Sequence, residues 1–205
     1  MSLMLDKKGL MFSFLLGIVV FVYGGKEYLA FLIIFLIISV IVTRYGAEEK
    51  KESGIYEYER SWENVLSNGI VPTLFVVGHN IFGVLPFITS VAAVTADKFG
   101  SELGVLGKNK PISLFSFKEV VPGTSGAMST MGTIMSFAGA LVIGACAVFI
   151  FGVKPTTAFM IGVGGFLGSI ADSIAGVFEE RGIGNKSSSN IICSIIGGVA
   201  GSLLR

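Results

Sequence analysis

Long runs of apolar residues, separated by short polar segments, extend along almost the whole chain. A helix that crosses a bilayer needs about 17 to 25 mostly apolar residues. The apolar runs predict seven such spans, near 9–23, 28–43, 64–79, 81–97, 125–151, 155–178 and 189–204. The pattern therefore predicts an all-α fold, a polytopic transmembrane helical bundle.

The polar segments divide the chain into three predicted parts. The first two spans are rich in Phe, Leu, Ile and Val, and we interpret residues 1–43 as a lipid-facing N-terminal hairpin. Residues 44–60 are too highly charged to enter the bilayer and form a predicted cytoplasmic loop. Residues 61–205 form a predicted membrane-embedded core of catalytic type. No small-residue cleavage site follows the first apolar run, so a retained anchor is expected rather than a cleaved signal peptide.

The composition supports a membrane protein and excludes several other classes. Only 14% of the 205 residues are charged and 28 are glycine, about half and about twice the usual shares. High apolarity with many small residues is typical of closely packed membrane helices and excludes a soluble enzyme or a disordered chain. Both cysteines lie in apolar runs, so neither a disulfide framework nor a zinc site is indicated. The net charge of +1 argues against a nucleic-acid partner.

Lysine and arginine are distributed unequally between the two sides of the predicted bundle. Twelve of the 15 lie in the N-terminal tail and in the loops after the second, fourth and sixth spans. Basic loops tend to stay in the cytoplasm. The chain is therefore predicted to be a multi-pass cell-membrane protein with a cytoplasmic N-terminus, and 25 of its 29 charged residues lie on the cytoplasmic face.

Four polar segments interrupt the apolar pattern at predicted cytoplasmic span ends. A transporter usually carries ionisable groups near the bilayer midplane. Acids gathered at one end instead favour a site at the boundary between membrane and cytoplasm. The four segments are 60–69, 96–104, 121–133 and 171–190.

Acidic residues in two of these segments are candidate metal ligands. Asp97 and Asp172 are flanked by apolar sequence, which is costly unless each acid is paired or bound to a metal. Glu102 can converge with Asp97 only if the helix ends near the glycines at 100 and 104. Carboxylates completed by phosphate oxygens suit Mg²⁺. The alternatives are a helix-packing stripe around Asp172 and an ordinary Lys98–Glu102 ion pair.

Two Gly- and Ser-rich segments have the features of helix N-termini that bind phosphate. The segment from Val121 is predicted to be a turn into the fifth span, punctuated by Pro122 and Gly123, with Thr124 or Ser125 as the N-cap. The segment GNKSSSN places Lys186 and Asn190 at the start of the seventh span. Neither spacing is that of a Walker A loop. A plain cap followed by a packing face is the alternative interpretation.

The third span begins with a row of polar residues on one helix face. Arg60, Asn64 and Asn68 follow one another at four-residue spacing. Such a row suits hydrogen bonding to a phosphate or a base, and interfacial anchoring by Trp62 and Arg60 is the alternative. His79, isolated at the opposite end, is interpreted as a turn residue.

Taken together and in order, these motifs resemble those of an integral-membrane family once called domain of unknown function ninety-two. That family includes transmembrane-protein-nineteen-like proteins and the phytyl-phosphate kinases of plants and cyanobacteria. Lys98 stands where the family typically has threonine, and the hairpin carries no motif. The matching motifs are Asn68-Gly69, Asp97 with Ser101, Glu102 and Gly104, Gly123-Thr124-Ser125-Gly126, and Asp172-Ser173 with Gly184-Asn185.

The resemblance implies a kinase that converts an isoprenoid monophosphate to its diphosphate, with CTP as donor. Phosphoryl transfer depends on positioning and charge neutralisation, which is compatible with the motifs. On this reading Mg²⁺ is held by Asp97, Glu102 and Asp172. Phosphate is held by Gly123, Thr124, Ser125 and Gly126, and the nucleotide or lipid phosphate is oriented by Arg60, Asn64, Asn68, Lys186 and Asn190.

Other functions are compatible with the same sequence. A CTP-dependent lipid cytidylyltransferase would use the same groups but release pyrophosphate. A small-solute transporter or a non-catalytic scaffold belongs to a different class, and the one-sided acids argue against transport. The predicted partners are the bilayer, a prenyl-phosphate-type lipid and a nucleotide. Glycines of the last span could also pack between two copies in a homo-oligomer.

Overall fold

The computed structural model describes residues 5–52, 54 and 61–204. Over these residues the chain forms nine α-helices and one two-stranded sheet. The helices are α1 (Lys7–Gly24), α2 (Lys26–Arg44), α3 (Ala47–Glu52), α4 (Trp62–Val77), α5 (His79–Phe82), α6 (Leu85–Gly104), α7 (Thr130–Phe151), α8 (Pro155–Glu179) and α9 (Lys186–Ser202), and the strands are β1 (Ile112–Ser113) and β2 (Ala127–Met128).

Seven of the helices in the described residues lie at the seven predicted spans, so the helical prediction is confirmed. Four of them, α1, α2, α7 and α8, are long and apolar enough to cross a membrane. The remaining three, α4, α6 and α9, are shorter or more polar, and the number of spans therefore stays a prediction. His79 begins the short helix α5 in the turn between α4 and α6, as expected for a turn residue.

Helix α6 lies at the centre of the bundle and packs against α7, α8 and α9. Small residues make this close packing possible. A methyl group added at Gly168 of α8 would lie 2.5 Å from the Ala93 Cβ atom of α6, and one added at Gly197 of α9 would lie 2.6 Å from the same atom. Since bulkier residues would separate the helices, the glycine-rich composition is explained by this core.

The hairpin α1–α2 covers one side of the core. Helix α1 packs mainly against α4, whereas α2 packs against α6 and α7. Near the α1–α2 turn, the Tyr28 ring lies 5.0 Å from the Phe87 ring and 5.2 Å from the Phe151 ring. This aromatic cluster fixes the turn end of the hairpin against the core.

The opposite end of the bundle collects the polar motifs. There α2, α6 and α8 end and α4, α7 and α9 begin. The two acids predicted as metal ligands on different helices are brought close together at this end, where each forms an ion pair with Lys186.

Candidate functional site

A cavity of about 1080 Å³ lies between the hairpin and the core. Its polar end is formed by helix termini and by the loop before α7, and its apolar part is formed by α1 and α2. Arg60 lies outside the described residues. All other predicted site residues line this cavity, namely Asn64, Asn68, Asp97, Glu102, Gly123, Thr124, Ser125, Gly126, Asp172, Lys186 and Asn190.

Asp97 and Asp172 meet at the polar end on a shared lysine. The Lys186 Nζ atom donates to Asp172 Oδ2 at 2.7 Å and lies 3.7 Å from Asp97 Oδ2. Both carboxylates are largely buried, with 7% of the Asp172 side chain and 19% of the Asp97 side chain exposed, whereas half of the Lys186 side chain is exposed. With both carboxylates ionised, the three side chains carry a net charge of −1, which leaves this end able to accept a cation.

The second carboxylate oxygen of Asp172 is buried and has no hydrogen-bond partner. An unsatisfied buried carboxylate oxygen is costly, so such an atom points to a missing ligand or water. The helix-packing stripe considered for Asp172 is also present, because Gly168 packs on α6 and Gly176 packs on the turn at Gly126. Asp172 thus combines a packed helix face with an available acceptor oxygen.

Glu102 belongs to a different cluster from Asp97, although both lie on α6. Helix α6 ends at Gly104, one of the two glycines expected to end it, but it is unbroken from Asp97 to Glu102, so the two acids face different partners. Glu102 Oε1 accepts from Lys98 Nζ at 2.8 Å and from the Thr43 hydroxyl at 3.1 Å, and Oε2 accepts from Lys50 Nζ at 2.9 Å. Both oxygens are engaged, and the alternative of a Lys98–Glu102 ion pair is confirmed.

Lys50 connects this cluster to the end of the hairpin. Its side chain is 1% exposed, and its Nζ atom also donates to the carbonyls of Val42 and Thr43 at 3.3 and 3.2 Å. These are carbonyls of the last turn of α2, which lack helical partners and favour a cation nearby. The Glu102 cluster therefore fixes the polar end of α2 to α6.

The segment 121–129 is a turn and a strand, so the predicted turn is present, but the prediction that a helix begins there with Thr124 or Ser125 as its N-cap is wrong. Gly123 and Gly126 have φ angles of 92° and 67°, which a right-handed helix does not allow. The strand β2 then pairs with β1, and α7 begins at Thr130. Its N-cap is Ser129, whose hydroxyl accepts from the Gly132 N–H at 3.0 Å.

The turn at 123–126 is nevertheless fixed beside the site. A methyl group at Gly126 would lie 2.5 Å from the Val177 nitrogen of α8, so only glycine fits there. The Ser125 hydroxyl donates to Glu179 Oε2 at 3.0 Å, and the Ser189 hydroxyl of α9 donates to Glu179 Oε1. Glu179 thus joins the turn, the end of α8 and the start of α9, a role that no sequence motif had indicated.

The predicted asparagines lie in two arrangements. Asn68 Nδ2 donates to Asn64 Oδ1 at 3.0 Å, as expected from their four-residue spacing on α4. Asn190 is buried and its Nδ2 atom donates to the Ser67 hydroxyl at 3.1 Å, which joins α9 to α4. The start of α9 matches expectation more closely, because Asn185 caps it in a capping box with Ser188.

The hairpin contributes residues that the sequence reasoning missed. The hairpin is exposed over much of its surface, as the prediction of a lipid-facing hairpin requires, but one face of α1 and one face of α2 also line the cavity. A signal was available in the positions of Ser13, Gly17, Ser39 and Thr43, which are small or polar residues at four-residue spacing in otherwise bulky apolar helices. All four line the cavity.

Two of the three predicted metal ligands fit a divalent cation. Among the described residues no group of three or more His, Cys, Asp or Glu forms a metal-binding cluster. Mg²⁺ is often bound by only one or two carboxylates together with substrate phosphates and water. Asp97 and Asp172, with the unpartnered Asp172 oxygen, fit that mode, and the engaged Glu102 oxygens do not.

The fold and the cavity define a helical integral membrane protein with a polar site at one end of its bundle. Comparison with known families places it further: the model of the family described as integral membrane protein DUF92 matches residues 2–202. The chain belongs to this family. No solved structure matches it.

Several relatives are similar over much of the chain. It is 38% identical to the uncharacterized membrane protein MJ0933 of Methanocaldococcus jannaschii, over 98% of this chain and 85% of that one. It is 28% identical to protein PGR of Arabidopsis thaliana, over 68% of this chain and 56% of PGR. It is 24% identical to the chloroplastic protein VTE6 of Arabidopsis thaliana, over 98% of this chain and 64% of VTE6.

Proposed function

We propose that this protein is a membrane-embedded, Mg²⁺-dependent phosphotransferase that converts an isoprenoid monophosphate to its diphosphate, with CTP as donor. The observation that carries the proposal is the cavity, which joins the Asp97–Asp172–Lys186 end to an apolar compartment. A lipid phosphate has the same two parts, a charged head and an apolar chain. The motif resemblance to phytyl-phosphate kinases supports the same substrate class.

The polar end offers complementary groups for two phosphorylated substrates. Lys186 supplies a cation for phosphate oxygens, and Asp97 and Asp172 would hold Mg²⁺. When bound, the ion would neutralise charge on the donor phosphates. Asn64, Asn68 and the 123–126 turn line the same end and are placed to orient the nucleotide or the lipid phosphate.

The reaction itself needs no covalent nucleophile from the protein. An oxygen of the lipid monophosphate attacks the γ-phosphorus of CTP, a new P–O bond forms, and the bond to the β-phosphate oxygen breaks to release CDP. The contribution of the chain is to position two anions and to neutralise their charge. The partial burial of Asp97 and Asp172 strengthens these interactions, because charges are screened less there than in water.

The test uses purified protein in detergent with CTP, Mg²⁺ and a panel of prenyl monophosphates, with products analysed by mass spectrometry. The proposal predicts a prenyl diphosphate and CDP in equal amounts. Release of pyrophosphate with a cytidylylated lipid would instead indicate a cytidylyltransferase. No phosphorylated product with any nucleoside triphosphate, and no difference between wild type and D172A, would overturn the proposal.

A further inference from the structure

The hairpin gives the cavity a chain-binding compartment with a closed end, and we infer that this end limits the length of the lipid chain that the protein accepts. The inference rests on the proposed function, since it takes the ligand to be a phosphate lipid with a single chain. The cavity of about 1080 Å³ exceeds the roughly 300 to 1,000 Å³ of pockets for small ligands. It therefore has room for a chain beyond the polar end.

Each hairpin helix presents one continuous face to the cavity. On α1 the lining positions are 10, 13, 14, 16, 17, 18 and 21, and on α2 they are 29, 32, 33, 35, 36, 39, 40 and 43. Steps of three and four residues keep these positions on one side of a helix. The faces are almost entirely apolar, so they suit a hydrocarbon chain and not a nucleotide.

The depth of the compartment follows from the helix geometry. Thr43 marks the polar end, because its hydroxyl donates to Glu102, and Leu29 is the lining residue of α2 farthest from it. Fourteen residues at 1.5 Å each span about 21 Å. On α1, Gly17 lies ten residues beyond the helix start at Lys7, or about 15 Å, and the lining residues continue to Phe21, at about 21 Å.

Tight packing closes the compartment beyond these residues. A methyl group at Gly24 would lie 2.6 Å from the Tyr28 ring and 2.7 Å from Val76 Cγ1, so the hairpin turn leaves no space against α4. Tyr28 and Val76 are both buried. An extended chain advances about 1.2 Å per bond, as a polypeptide backbone does. A depth of 15 to 21 Å therefore holds a chain of about 12 to 17 bonds.

Along its length the compartment communicates with the surroundings between the two hairpin helices. Helices α1 and α2 contact each other, and each also packs on a different helix of the core, α1 on α4 and α2 on α6. Phe14 and Ile33 both line the cavity and are exposed. A chain can therefore enter from the side, and since the turn stops its advance, the excess of a longer chain must leave by the same opening and adds no further contact.

Gly17 is the residue that best controls the closed end. It lines the cavity, and a methyl group there would lie 3.7 Å from Leu29 Cδ1, an ordinary contact. G17A is therefore tolerated, whereas the larger side chain of G17F must occupy the space between the helices. Leu15 lies on the same helix, is 47% exposed and does not line the cavity, so L15F is a matched control for added bulk.

The experiment measures binding of n-alkyl phosphates of 8 to 20 carbons to the purified protein by native mass spectrometry, without nucleotide. In wild type, binding should strengthen with chain length up to about 12 to 18 carbons and no further. G17F should move this limit to shorter chains and lower the preference for octadecyl over octyl phosphate at least about tenfold. L15F should behave as wild type, and G17A, which adds only a methyl group, should move the limit less than G17F does. If G17F does not fold, L29F at the facing position makes the same test.

Equal weakening of all chain lengths by G17F, or no break in the wild-type series, would overturn the inference. Failure of the inference can be distinguished from failure of the proposed function, because the experiment measures binding of alkyl phosphates and not phosphoryl transfer. A chain-length limit that depends on position 17, in a protein that forms no diphosphate from any donor, would retain the compartment and refute the kinase.

Discussion

Two clusters of lysine and carboxylate lie near each other on α6, and they differ in how completely their oxygens are used. At one, Asp97 and Asp172 share the Lys186 ammonium, and one Asp172 oxygen is buried without a partner. At the other, Lys50 and Lys98 both bind Glu102, and both of its oxygens accept hydrogen bonds. The same residue types therefore form one cluster with spare acceptor capacity and one without.

The difference indicates separate roles for the two clusters. A saturated buried ion pair mainly fixes geometry, and removing one partner is costly because the other charge stays buried. The Glu102 cluster joins α2, α3 and α6 and so holds the hairpin over the cavity. An incompletely satisfied pair of carboxylates costs stability unless a ligand completes it. The Asp97–Asp172 pair is therefore the better candidate for binding a metal–phosphate group.

The largest expected effect is that of D172N on turnover. The amide keeps the size of the side chain but removes the charge that faces the phosphates, so the rate of diphosphate formation should fall about 10²- to 10³-fold. The melting temperature in detergent should stay close to that of wild type, because half of the Lys186 side chain is exposed and can be hydrated. A variant with normal turnover would contradict this role.

E102Q should show the opposite behaviour. It leaves the Lys50 ammonium, which is 1% exposed, without its anionic partner. The free energy of unfolding should fall by about 3 kcal/mol, measured by detergent-to-SDS titration. Turnover per folded molecule should change less than about tenfold. A large loss of turnover with unchanged stability would show that Glu102 takes part in the reaction and would contradict separate roles for the two clusters.

K186M removes the positive charge that Asp97 and Asp172 share. Loss of the cation removes a phosphate-binding group, so turnover should fall about 10- to 100-fold, by less than in D172N. The two aspartates then face each other without Lys186, and the affinity for divalent cations in the absence of substrate should rise. Isothermal titration with Mn²⁺ measures this change, and an unchanged or weaker affinity would contradict the assignment.

The smallest expected effect is that of S125A. It removes the hydrogen bond to Glu179 at the 123–126 turn, which should cost about 1 kcal/mol of stability. Because Glu179 keeps its bond from Ser189, the start of α9 should stay in place. Thermal unfolding measures the loss. S173A serves as the control for hydroxyl removal, because the Ser173 hydroxyl donates to the Ser169 carbonyl within α8. A loss several times larger would show that the turn is a main support of the site.

The seven long helices could be predicted because each corresponds to an apolar run of many residues, and so long a signal does not depend on any single contact. The start of α7 could not, because the Gly-Thr-Ser-Gly turn has the composition of a helix cap. The prediction failed on the backbone of two glycines with positive φ and on the pairing of β2 with β1. Such a pairing joins segments about 15 residues apart and leaves little trace in periodicity.

Part of the site could also be predicted from the sequence. Asp97, Asp172 and Lys186 stand out as charges at apolar span ends, so their shared location could be expected. The separation of Glu102 from Asp97 depends on Lys50, which lies 52 residues earlier in a charged segment without a motif. The apolar pattern alone does not predict the cavity face of the hairpin, because only a few small or polar residues, such as Ser13 and Ser39, distinguish that face from a lipid-facing surface.

Binding of Mn²⁺, as a replacement for Mg²⁺, tests most directly whether the metal is held by the Asp97–Asp172 pair rather than by Glu102. It is measured for wild type, E102Q and D172N in the presence of an alkyl phosphate. Electron paramagnetic resonance distinguishes bound from free Mn²⁺. Wild type and folded E102Q should bind Mn²⁺ with similar affinity, and D172N should bind it at least about tenfold more weakly. Loss of binding in E102Q with retention in D172N would contradict this prediction.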